Sequence, residues 1–86
     1  MSYKEMLFKA IDQLVGDVTN GYNEQEAKNR LKQEIRTEEH RISYSNYKKY
    51  ESMKDKFQNF YNKFDGLTFV EIVDIAKDLL DCLLDE

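Results

Sequence analysis

The chain has no proline and no tryptophan, only three glycines, and a single cysteine and a single histidine among its 86 residues. Each scarcity excludes something. One cysteine closes no intramolecular disulfide, so no disulfide framework holds this fold. Glycines at 16, 21 and 66 make no G-x-G-x-x-G or phosphate-loop pattern. His40 and Cys82 have no second histidine or cysteine with which to build a zinc site at the usual spacing. No apolar run approaches the ~18 residues of a membrane span, so no transmembrane segment is expected. The first residues, Met1-Ser2-Tyr3-Lys4-Glu5, are polar and lack the apolar stretch of a secretion signal. No Asn-x-Ser/Thr sequon occurs. Together these place the chain in a reducing, cytoplasmic compartment.

What the sequence does have is charge and aromatic rings. Charged residues make up 35% of the chain, yet it carries five Phe and six Tyr, and disordered chains are poor in such residues. The apolar residues fall at helical spacing. A single small folded domain over residues 1–86 is expected, marginal in stability because of its size.

The net charge of −4 conceals a segregation. Residues 1–27 carry −3, residues 28–63 carry +5 and residues 64–86 carry −6. A basic middle between acidic ends suits internal packing, and it also offers surfaces of opposite sign to partners.

Four helices are predicted, at 2–18, 24–42, 46–64 and 69–84, packed as an all-α antiparallel bundle. In the first, Ser2 with Glu5 reads as a capping box, and Tyr3, Leu7, Ala10, Ile11, Leu14, Val15 and Val18 share one face. Asn20-Gly21 ends it through a positive φ. In the second, Asn23 caps with Glu26 as box partner and Tyr22 as staple. Its stripe is thin, Ala27, Leu31, Ile35 and Ile42, with Glu38 interrupting it, so this helix is expected to be largely solvated. The third has an aromatic stripe, Tyr47, Tyr50, Met53, Phe57, Phe60, Tyr61 and Phe64. The stripes of the second and third segments differ in phase by about 90°, and Ser43-Tyr44-Ser45-Asn46 is rich in capping residues, so a break is placed there. In the fourth, Thr68 caps with Glu71, and Leu67 staples to Ile72. It is the most apolar helix: about two-thirds of its wheel is apolar, and Asp74, Asp78, Asp81 and Asp85 occupy the remaining arc with Glu71. Such a helix sits at the centre of the bundle or forms a homodimer seam through 69–84. Leu14, Phe57, Tyr61, Ile72, Leu79 and Leu83 are expected to be deeply buried, and Cys82 is read as a small buried hydrophobe.

Chemistry is largely absent from the pattern. Read as a calcium loop with Gly66 at position six, the Asp65-Gly66 junction puts Tyr61, Lys63 and Ile72 where carboxylates are required. Acid pairs at helical spacing have no sign of the desolvated pocket that acid–base catalysis needs. No catalytic residue, cofactor or metal is therefore predicted, and the protein is read as a non-enzyme.

Two binding surfaces remain. One is the acidic arc, Asp74, Asp78, Asp81 and Asp85, joined by Asp12 and Asp17 of the first helix. It suits a basic protein partner. The other is a basic face of Arg30, Lys32, Arg36, Lys49, Lys56 and Lys63 beside the aromatic stripe, which suits a phosphate backbone. In size and in its Lys/Asn/Tyr-rich, proline-free composition the chain resembles accessory proteins of low-GC bacteria and their phages, and in size it is similar to helical bacteriocin-immunity proteins. That resemblance implies a small protein-interaction module that regulates or inhibits a larger partner. The alternatives are a nucleic-acid-binding protein using helices 24–64 and an immunity-type protein.

Overall fold

A computed structural model describes residues 2–84. Within them the chain forms four helices: α1 (Tyr3–Thr19), α2 (Glu24–Ser45), α3 (Tyr47–Lys63) and α4 (Phe69–Leu83). The all-α bundle follows from the punctuation in the sequence. Ser2, Asn23, Asn46 and Thr68 each accept a hydrogen bond from a backbone N–H of the turn they start, which satisfies a donor that the helix itself leaves open. Only Thr68 and Glu71 complete a reciprocal box; Glu5 and Glu26 leave their boxes half made. Gly21 ends α1 at φ 104°, a left-handed conformation that costs glycine little.

α2 runs three residues beyond its expected end, to Ser45. Asn46 then does two jobs. Its N–H donates to the Ile42 carbonyl at 2.8 Å, closing α2, and its side chain accepts from the Lys49 N–H at 3.2 Å, opening α3. Its backbone, at φ −152° and ψ 82°, leaves the helical region for this one residue. The two helices are therefore separate, folded back as a hairpin on a single-residue elbow.

α2 and α4 each pack against all three other helices, whereas α1 and α3 do not touch. The result is a flattened body of 40 × 32 × 16 Å with a two-helix spine. The central place expected for α4 is found. α2 is largely solvated, as expected, with most of its residues exposed, and its thin stripe is nonetheless sealed: Ala27, Leu31 and Ile35 are completely buried, because a narrow stripe suffices when three neighbours converge on it. The core joins these to Phe57, Phe60, Phe64, Phe69, Ile72, Leu80 and their neighbours. Of the six residues expected to be deepest, Tyr61 is only half-buried; the other five lie in the core. Cys82 is exposed, contrary to its reading as a core residue.

Candidate functional site

α4 turns its buried residues to one side and leaves an outer ridge. At about 100° per residue, Val70, Asp81, Asp74, Asp78, Glu71 and Cys82 follow one another around that ridge, and all are exposed. Asp85 lies outside the described residues. The carboxylates have different surroundings. Asp81 pairs with Lys4 of α1, and Lys77, at the edge of the ridge, pairs with Asp12 of α1. These two ion pairs tie α1 to α4. Glu71 is committed to the helix cap: hydrogen bonds from the Thr68 backbone and hydroxyl hold its carboxyl below the usual range. Asp74 and Asp78 make no hydrogen bond or ion pair among the described residues. Asp78 overlooks a shallow hollow of 180 Å³ shared with Lys56 and Asn59 of α3.

The expected additions to this arc separate. Asp12 stands beside it through Lys77. Asp17 faces the other way, into an open hollow of 400 Å³ between α1 and α2 that also holds Ile11, Leu14, Arg30 and Glu34.

The six basic residues are not brought onto one face. Arg30 lies on the α1 side of α2, 5.2 Å from the Tyr22 ring. Lys32 and Arg36 lie on the α3 side, 4.7 Å from the Phe64 ring and 5.8 Å from the Tyr61 ring. Lys56 is on the opposite flank of α3, toward α4, and Lys49 and Lys63 lie one heptad to either side of it on that flank. Three of the six thus cover the bundle's own aromatic rings, an attraction of roughly 0.5–1 kcal/mol each at exposed sites.

A pair of part-buried polar contacts was not legible as a site. Glu38 and Glu39 are neighbours on α2 and accept hydrogen bonds from tyrosines on opposite sides. The Tyr3 hydroxyl of α1 donates to Glu38, and the Tyr61 hydroxyl of α3 donates to Glu39 at 2.7 Å. An arginine of α2 lies over each ring, Arg41 on Tyr3 and Arg36 on Tyr61. Burial and then the Glu38 contact push the Tyr3 phenol up to about 12, and burial and the Glu39 contact raise that of Tyr61 further. At the other end of α2, Glu24 accepts from the Phe69 N–H at 2.9 Å, and the buried Lys28 ammonium donates to the Leu67 carbonyl at 2.9 Å. Both fasten the α3–α4 corner. These contacts tie the helices to one another.

His40 is exposed and shares a small hollow with Glu39, Ser43 and Tyr50. Among the described residues no group of three or more His, Cys, Asp or Glu side chains is placed to hold a metal, and no helix is long and apolar enough to cross a membrane. Comparison with known proteins finds no matching family, no matching curated protein and no matching solved structure.

Proposed function

We propose that the protein is a non-enzymatic helical interaction module, acting in the cytoplasm as an accessory protein of bacterial or phage type, which regulates or inhibits a larger partner. The reading rests on one observation. Asp74 and Asp78 stand exposed on the ridge of α4 with no ion pair among the described residues, next to Val70, which is 61% exposed. Asp74 and Asp78 lie one turn apart on the same helix face and repel one another. Neither carboxylate forms an ion pair that holds the described bundle together, which favours a use outside it.

The partner surface is basic. A homodimer through α4 is the weaker alternative, because two copies of this ridge would bring carboxylates face to face with little besides Val70 and Cys82 to bury. The test is affinity capture from the source cells with two baits, wild type and Asp74→Lys/Asp78→Lys. These positions are chosen because neither holds α1 in place, as Asp81 does. The expected result is a protein retained by wild type and lost from the variant, released as salt rises. Identical proteins on both baits would reject the ridge.

A further inference from the structure

We propose that the elbow between α2 and α3 binds single-stranded nucleic acid, with Tyr44 and Tyr47 stacking on bases and Lys48 and Lys49 meeting phosphates. Tyr3, Tyr22, Tyr50 and Tyr61 are half-buried, and each ring is covered by a cation of the chain: Arg41, Arg30, Lys54 and Arg36 respectively. Tyr44 and Tyr47 differ. They are 89% and 60% exposed, and among the described residues no cation covers either ring. Tyr47 touches the Tyr50 ring at 5.9 Å, which in turn touches Phe57 at 6.4 Å. One exposed ring is thus braced against the core, and the other is open on both faces.

The charge along the elbow is basic. Residues 40–50 contain no Asp or Glu and form the longest such stretch of the chain; the next residue, Glu51, accepts a hydrogen bond from the Tyr47 hydroxyl and is paired with Lys54 at 3.6 Å. The first turn of α3 holds Lys48 and Lys49 in place of acids. Neither lysine makes an ion pair or a side-chain hydrogen bond among the described residues. Cations at that end of a helix oppose its dipole, so helix stability does not account for them. A protein partner fits less well. Protein interfaces centre on a desolvated apolar patch, whereas Ser43, Ser45 and Asn46 separate and flank the two rings here. Open aromatic faces with cations beside them, and no fixed hydrogen-bonding array, are the elements of a sequence-tolerant single-strand site.

The test is fluorescence anisotropy of a labelled mixed-sequence single-stranded oligodeoxynucleotide titrated with the full chain at low salt. Saturable binding that weakens with salt is expected. Tyr44→Ala/Tyr47→Ala should weaken it about tenfold or more, while Tyr44→Phe/Tyr47→Phe should retain it, because stacking needs the ring and not the hydroxyl. Lys48→Glu/Lys49→Glu should weaken binding and flatten its salt dependence. Tyr44, Tyr47 and Lys48 are exposed and Lys49 is half-buried, and none of the four belongs to the buried core, so circular dichroism should match wild type for every variant. No binding at low salt, equal binding by the alanine variant, or equal affinity for the same sequence as a duplex would overturn the proposal. Displacement of the oligonucleotide by polyglutamate as readily as by unlabelled single strand would also overturn it, and would make an acidic protein segment the occupant.

Discussion

The phenol of Tyr3, near the start of α1, donates a hydrogen bond to the carboxylate of Glu38, which is only 2% exposed in the middle of the bundle's longest helix. Tyr61 does the same for the adjacent Glu39 from the other side. Two helices that never touch are thereby held to α2 through consecutive residues. A buried acceptor without its donor is costly, so these contacts fix where α1 and α3 lie as well as adding to stability.

Tyr3→Phe should lower stability by about 1–3 kcal/mol, because it strips the donor from a buried carboxylate. Glu38→Gln, which keeps an acceptor for the phenol, should cost less. The tyrosine also gives a pH signature. Its folded value, about 12, lies above the ordinary 10.0, so its contribution is fully present below pH 10 and lost as pH rises toward 12. Urea unfolding across that alkaline window should show a steeper loss for wild type than for Tyr3→Phe. Parallel curves would mean the phenol is not held as described.

Asn46→Ala removes the side-chain acceptor for the Lys49 N–H. A loss of about 1 kcal/mol is expected. Asn46→Asp or Asn46→Ser should restore most of it. Chemical denaturation of the three variants checks the order, and a neutral Asn46→Ala would show that the elbow does not depend on its cap.

Leu79, at 3% exposure, lies in the core beside Ile72 and Leu83. Leu79→Ala should cost about 2–5 kcal/mol, enough to unfold a domain of this size. A shift below about half a kcal/mol would place Leu79 outside the core.

The four helices and most of their ends were legible because local signals agreed, whereas the end of α2 fell three residues later than expected. Thr68-x-x-Glu71 gave the start of α4, and the phase change near Asn46 gave the elbow. What failed depended on how the helices turn toward one another. Cys82 counted as apolar on the wheel of α4, but it falls among Glu71, Asp78 and Ile75, at the exposed edge of the ridge. Lys32 and Lys56 looked like parts of one basic face, yet α3 presents opposite flanks to α2 and α4, and its lysine row turns toward the acidic ridge. Glu38 looked like a flaw in a thin stripe because its partner, Tyr3, is 35 residues away. The acidic arc itself was legible from spacing alone. That Asp81 is engaged by Lys4 while Asp74 and Asp78 stay open was not, because ion pairing across helices leaves no periodic signature.

The claim that function lies on the ridge of α4 is tested most directly by association kinetics. Wild type and Asp74→Lys/Asp78→Lys would be compared against the captured partner over a range of ionic strength. Exposed charges act mainly on the encounter. The account predicts a much slower association for the reversed chain at low salt, a nearly unchanged dissociation rate, and convergence of the two as salt screens the field. Equal association rates at low salt, with both chains folded, would contradict it.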